Sequence, residues 1–291
     1  MVLTIDVITP IVDDPFAFGG IAAANAMSDV YAMGGRPEVA LSFAGFPTDA
    51  LPLSMLSDIL RGMSEMAARA GCAIVGGHTV ADTEPKCGLA VIGSVDPARV
   101  WSHRHAKPGD ALILTKALGT GILGQAIKAG RATDAMTQEA LAQMLMLNDR
   151  ARDIGLEVGV IACTDITGFG LLGHLRNVIE AAGVSAVLHA SQIPILSSAR
   201  QFVEQGLVPG GTKRNLAYAS AVTTFADAVD ANLQLLLADA QTSGGLLLCV
   251  AQPRVAEAVT KLRDAGCVHA SCIGVLEEAT GGAGVVVTVR D

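Results

Sequence analysis

Asn25-Ala26-Met27-Ser28-Asp29-Val30-Tyr31-Ala32-Met33-Gly34-Gly35 follows Ile21-Ala22-Ala23-Ala24, and together they spell a nearly all-apolar, alanine-rich helix stopped by a glycine pair. The polar residues Asn25, Ser28 and Asp29 stand at i, i+3 and i+4, on one face of that helix. A single polar stripe on an otherwise buried helix needs partners, because an unpaired buried carboxylate is expensive. A divalent metal is one such partner, and the hard oxygens of Asp29 suit Mg²⁺ or Mn²⁺. An ordinary ion pair, or a cap on a neighbouring turn, is the alternative.

Upstream, residues 2–9 alternate and read as a strand, with Pro10 and Asp13-Asp14-Pro15 as a loop before the helix. Downstream, residues 38–46 read as a strand and residues 53–70 as a helix ended by Gly71. Residues 72–75 form a short strand running into Gly76-Gly77-His78-Thr79, and residues 89–95 a further strand. This β-α-β-α-β-β order fills about the first hundred residues. The polar stretch 99–110 reads as the entry to a second domain, which places domains at 1–98 and 99–291. In the second, strands are predicted at 111–115, 158–164, 184–190, 246–251, 270–275 and 284–289. Helices are predicted through Ala126 and over 138–152, 171–182 and 255–265. Each half reads as an α+β or α/β layer.

Of 291 residues, 51% are apolar and only 3% aromatic, so the core must be built from Ala, Val, Leu, Ile and Met. The net charge of −8 argues against nucleic acid as the main partner, since binding a phosphate backbone needs a basic surface. An acidic chain still binds a nucleotide if metal ions offset the phosphate charge. The six cysteines show no CxxC pair and lie mostly in apolar runs, the pattern of buried thiols in a reducing compartment. No basic n-region opens the chain and no apolar run reaches about 18 residues, so neither a signal peptide nor a membrane span is predicted, and the cytoplasm is the expected location.

Asp165 is the second candidate ligand. In Val160-Ile161-Ala162-Cys163-Thr164-Asp165-Ile166-Thr167-Gly168-Phe169-Gly170 an apolar strand delivers a carboxylate to its C-terminal end, before a glycine-rich turn and a helix. Active sites of α/β layers gather at such ends; a turn-forming or capping Asp is the bland reading. His174, nine residues on, reads as structural. Three glycine pairs are weak anion signals: Gly76-Gly77-His78-Thr79, Gly210-Gly211-Thr212-Lys213-Arg214-Asn215 and Gln241-Thr242-Ser243-Gly244-Gly245. Gly119-Thr120-Gly121-Ile122-Leu123-Gly124 is a formal GxGxxG after a strand, but it lies mid-chain and lacks a clear βαβ unit with its acidic residue. No P-loop, Ser-His-Asp set or zinc-ligand spacing stands out.

These segments, with Thr9-Pro10-Ile11-Val12-Asp13-Asp14-Pro15 and the continuation Leu171-Leu172-Gly173-His174, run in order across essentially the whole chain, and they resemble the selenophosphate synthetase (selenide, water dikinase) family. The wider superfamily, that of aminoimidazole-ribonucleotide-synthetase-like proteins, shares only parts of the set. The resemblance implies an N-terminal α+β domain whose strands form a barrel across a homodimer, with a C-terminal α/β domain packed beside it. It implies ATP and Mg²⁺ in the cleft. Asp6 and Asp29 match ATP- and metal-binding aspartates, Asp165 a metal aspartate from the second domain, and Asn25 and Gly76-Gly77-His78 nucleotide contacts. Thr212, Lys213 and Arg214 are candidate phosphate or substrate contacts. The implied reaction turns selenide, ATP and water into selenophosphate, AMP and phosphate. Clustered carboxylates holding metals suit it, because phosphoryl transfer is mostly positioning and charge neutralisation.

The resemblance also implies about sixty residues before the strand around Thr4-Ile5-Asp6, carrying a Cys or selenocysteine, a Lys and a further metal aspartate. Only Met1-Val2-Leu3 stand there in this sequence, and none of the six cysteines takes that place. The expectation is therefore that this chain binds nucleotide but makes little selenophosphate, since losing one charge-stabilising donor costs about 100- to 1000-fold in rate. Two rival readings are a non-catalytic nucleotide-binding or regulatory homologue, and another superfamily kinase such as a thiamine-phosphate kinase, against which the run 164–174 argues.

Overall fold

The computed structural model describes residues 1–279 and 286–290. The first layer runs β1 (Val2–Ile8), α1 (Pro15–Ala32), β2 (Arg36–Phe46), α2 (Leu53–Arg69), β3 (Ala73–Ala81) and β4 (Lys86–Ser94). Its four strands take the order β1-β4-β2-β3, with β2 and β3 parallel and the other pairs antiparallel. A linker with two short 3₁₀ turns leads to β5 (Asp110–Leu114), followed by α3 (Thr120–Lys128), α4 (Asp134–Leu145), α5 (Asp149–Val158), β6 (Ala162–Asp165), α6 (Gly170–Ala182) and β7 (Val184–His189). The chain continues through α7 (Ser197–Glu204), α8 (Gly210–Ala219), β8 (Thr223–Phe225), α9 (Ala231–Leu237), β9 (Leu246–Ala251), α10 (Val255–Asp264), β10 (Ser271–Glu278) and β11 (Val287–Arg290).

The second sheet has the order β6-β9-β5-β10-β7-β11-β8. Its β6–β9, β9–β5, β5–β10 and β10–β7 pairings are antiparallel, and only β7–β11 and β11–β8 are parallel. The second domain is therefore also α+β, not the α/β layer expected. Most of its strands pair through antiparallel neighbours that need no helical crossover. Among the described residues neither sheet closes on itself.

The helix α1 explains the joint between the layers. Asp14 caps it through Phe16 N at 2.8 Å and Ala17 N at 3.2 Å, and Pro15 fills its first turn. Gly34, at φ +75°, ends it. Between these ends nearly every residue is buried, and a helix apolar on every side but one narrow polar stripe has to be enclosed. On one side it crosses α2 so closely that a Cβ on Gly19 would lie 2.0 Å from Ile59 O, and one on Gly62 2.0 Å from Phe16 O. On the other side Ile122, Leu123, Ala140, Met144 and Phe202 of the second domain join the same core.

Several boundaries move. The helix predicted over 138–152 is two, α4 and α5, broken at Met146–Asn148. The strand predicted from 158 starts at Ala162, because Val158 ends α5 and Gly159 turns the chain in the left-handed region. Of the strand predicted at 284–289, residues 284 and 285 lie outside the described residues. Five of the six cysteines are buried as free thiols and Cys272 is half-buried. Among the described residues no helix is long and apolar enough to cross a membrane.

Candidate active site

In β1 the usual sense of burial is reversed. Leu3, Ile5 and Val7 point to solvent, while Thr4 and Asp6 point inward to α1. The inward pair meets the polar stripe of α1. Asn25 donates through Nδ2 to Asp6 Oδ2, and Thr4 Oγ1 donates to Asp29 Oδ2 at 2.5 Å. The stripe also reaches the second domain. Ser243 N donates to Asn25 Oδ1 at 2.8 Å, and Asn148 Nδ2 donates to Ser28 Oγ at 3.0 Å and to Gly244 O at 2.9 Å. Ser28 in turn lies beside Asp165 at the end of β6, where its hydroxyl favours the charged carboxylate. Every polar residue of the stripe thus has a partner, and the partners come from both layers.

Asp29 and Asp165 line a cleft of about 540 Å³ with Thr4, His103, His174 and Asn177. Asp165 is buried. Burial first, and then the charge of Asp29, push its pKa up to about 7, against the hydroxyl of Ser28. Asp6 is raised by burial and by Asp29, while its own backbone environment and Asn25 pull the other way. Three carboxylates that repel one another, held by hydrogen bonds, form a site short of positive charge. Among the described residues no three His, Cys, Asp or Glu side chains are grouped closely enough to complete a metal site alone. Burial also depresses His174 to about 4, so its ring is neutral, and its Nε2 accepts from Thr167 N at 3.2 Å and Phe169 N at 3.4 Å. It fixes the loop after β6.

The structure separates the other candidates from this cleft. Gly76, Gly77 and His78 form no turn. They lie within β3, on the opposite edge of the sheet from β1, because β3 continues through Ala81 beside β2. Gly210 and Gly211 are the first turn of α8. Thr212 is fully buried and donates to Asp239 Oδ1 at 2.8 Å, so no substrate reaches it; Lys213 and Arg214 are exposed on the same helix. The GxGxxG segment does open a helix, but its N–H groups are taken. Asp239 Oδ2 accepts from Gly121 N and Ile122 N at 3.1 and 3.2 Å, and Gln241 Oε1 from Gly119 N and Thr120 N at 3.0 and 3.1 Å. No pyrophosphate fits where the chain's own carboxylate already sits. Gln241-Thr242-Ser243-Gly244-Gly245 is likewise a buried joint.

Two contributors escaped the sequence reading. Asn148 stands at the break between α4 and α5, where the hydrophobic period gave no break. Lys116 is 1% exposed after β5, donating through Nζ to Met146 O at 2.6 Å and Ser243 O at 2.8 Å; burial lowers its pKa to about 7. Its only sequence signal is a lone lysine ending an apolar strand.

The family described as AIR synthase related protein, N-terminal domain, matches residues 1–95, and its C-terminal counterpart matches residues 107–287. Among solved structures, the hydrogenase maturation protein HypE in complex with ATP superposes with a TM-score of 0.79 at 20% identity, over 100% of this chain and 82% of that one. The thiamine monophosphate kinase of Aquifex aeolicus gives 0.70 at 18%, over 99% and 86%. These likenesses show the fold. Sequence relatives are nearer. A protein of Carboxydothermus hydrogenoformans named selenide, water dikinase is 44% identical over 290 residues, 100% of this chain and 83% of the relative. One of the same name from Myxococcus xanthus is 46% identical over 288 residues, 98% of this chain and 81% of the relative. With identity of this order over 98–100% of its length, the chain belongs to the selenide, water dikinase family.

Proposed function

We propose that this chain carries out ATP-dependent phosphoryl transfer to selenide, giving selenophosphate, AMP and phosphate, in the cleft between its two domains. The observation that carries the reading is the meeting of Asp29 and Asp165, from different domains, at one cleft beside Asp6. Asp29 and Asp165 would hold Mg²⁺ in this reading, and the ion would supply positive charge beside the triphosphate. The fit is chemical. Buried Asp165 and half-buried Asp29 repel each other across one cleft, and a dication sharing its remaining positions with phosphate oxygens would offset both charges. Thr4 fixes one oxygen of Asp29, Ser28 lies beside Asp165, and Asn25 holds Asp6. Selenide accepts the γ-phosphoryl group; water takes the β-phosphate of the ADP left behind.

We further propose that residues 1–98 are the ATP-binding domain and residues 99–291 its partner, that the site lies in the cytoplasm, where free thiols persist, and that the molecule is a homodimer. The outer face of the first sheet supports the dimer. Leu3 pairs with Ile92, and Ile5 with Ala90 and through it Leu41, all on a face left to solvent, and both β1 and β3 are free edges. A second copy covering this face makes the intersubunit barrel.

Calorimetry with a non-hydrolysable ATP analogue, with and without Mg²⁺, tests the site. Binding is expected to need Mg²⁺ and to weaken about 10-fold or more in Asp29→Asn, since hydrogen bonds and contacts to charged groups contribute about 1.5–3 kcal/mol, whereas Glu277→Gln leaves it unchanged. Equal binding without metal sinks the carboxylate–metal account. Selenide-dependent AMP release then tests the reaction.

A further inference from the structure

Where α1 ends, Ala32 and Met33 line the carboxylate cleft, and the next residue, Gly34, lines a second pocket of about 380 Å³. Three arginines line this pocket: Arg36 at the start of β2, Arg99 in the linker and Arg152 on α5. One carboxylate, Asp96, stands among them, and its Oδ1 is turned to the backbone, accepting from Ala98 N at 2.9 Å. In a chain of net charge −8 this is a local reversal of sign.

Two of the arginines have work inside the fold. Arg99 Nη2 donates to Leu156 O at 2.7 Å, and Arg152 Nη1 lies 3.1 Å from Asp153 Oδ1. Yet Arg152 is 5% exposed and its Nε, a buried donor, has no partner. A guanidinium in that position is expensive, because a buried N–H left unpaired forfeits its water without a replacement. Its pKa is lowered by burial and, against the pull of Asp153, by the like charge of Arg36. An anion in the pocket offsets the like charges of Arg36 and Arg152. Planar guanidinium forks suit the paired oxygens of a phosphoryl group. The volume is several times that of a bare phosphate ion and leaves room for an organic part.

We propose that this pocket binds the phosphoryl group of a small ligand, the Arg36 and Arg152 guanidinium groups donating to it, and that the bound group ties β2 and the linker to α5 of the second domain. The site is separate from the carboxylate cleft, and the inference stands whether or not the reaction proposed above is right. Inorganic phosphate and AMP share the chemistry and are the two probes.

Trp101, the chain's one tryptophan, supplies the readout. Its indole packs on both walls: a Cβ on Gly34 would lie 3.2 Å from the ring, and one on Gly155 of α5 2.6 Å. The whole chain is titrated with phosphate, with AMP and with potassium chloride at matched ionic strength, following Trp101 fluorescence. A saturable change is expected with phosphate or AMP below about 10 mM, a range that an affinity of only a few kcal/mol reaches, and none with chloride. Arg36→Gln, at an exposed position, should raise the midpoint about tenfold or more, and Arg152→Gln should abolish the change. Asp165→Asn should leave it intact. AMP binding tighter than phosphate assigns the remaining volume to a nucleoside. No saturable change with either probe up to about 50 mM, or a change unaffected by Arg36→Gln, overturns the proposal. So does a change lost in Asp165→Asn and kept in Arg36→Gln, since the ligand then sits in the carboxylate cleft.

Discussion

Asp165 carries a charge that the folded chain resists. Its pKa of about 7, against an ordinary 3.8, means that the native state keeps a proton the unfolded chain has already lost. Between those values this group binds more protons in the native state, so its contribution to stability falls as pH rises from about 4 to about 7. Without divalent cations, the urea midpoint is expected to be higher at pH 5 than at pH 8, and Asp165→Asn should flatten that slope. Adding Mg²⁺ at pH 8 should restore the midpoint in the parent chain and not in the variant. An unchanged slope in Asp165→Asn would move the effect to Asp239, the other carboxyl that burial pushes up to about 7. At this scale the sequence was informative. Asp29 and Asp165 were legible because each breaks an apolar run at the end of an element, where a carboxylate needs a reason. Thr212 was misread because a hydroxyl beside two cations looks the same whether it faces a ligand or a buried aspartate.

Among the elements, α3 shows how a motif and its meaning separate. GxGxxG is a motif that aims backbone N–H groups at an anion, and the segment does so here. The anion is Asp239, some 120 positions later in the chain, a distance over which no spacing rule applies. Asp239→Ala leaves two helical N–H groups and the Thr212 hydroxyl without their acceptor, and the Gln241 amide keeps only its bond to the Asp239 carbonyl. We expect a loss of about 3 kcal/mol or more, read as a lowered urea midpoint with an unchanged m-value, since each stranded buried donor costs about 1–3 kcal/mol. A loss below about 1 kcal/mol would mean that water replaces the carboxylate. The alternation of residues 2–9 gave β1 correctly. Which face turned inward was not legible from that strand alone, for Thr4 and Asp6 are inner only because α1 offers them Asn25 and Asp29. Periodicity likewise ran α4 and α5 together, since Asn148 continues neither helix and its role depends on Ser28 and Gly244.

For the whole molecule, the apolar outer face of the first sheet stands out, with Leu3 71%, Ile5 68% and Leu41 51% exposed. Monomers rarely leave such a face to water. Light scattering at micromolar concentration should give twice the 29.7 kDa chain mass, and Leu41→Glu should give the single mass. A parent chain that is monomeric would remove the barrel from the proposal. The two-layer organisation was legible from element order. The sheet orders were not, because β4 sits between β1 and β2, and β9 between β6 and β5, by pairings the chain order does not announce. The buried thiols turn this architecture into a clock. Cys72 and Cys87 belong to the first layer, Cys163, Cys249 and Cys267 to the second, and only Cys272 is within partial reach of solvent. An alkylating reagent should therefore modify one sulfur within minutes and the other five only as the protein opens. Mass spectrometry of the peptides, taken over hours, then records which layer opens first, and a single shared rate for all five would mean that the joint around α1 makes the two layers open together.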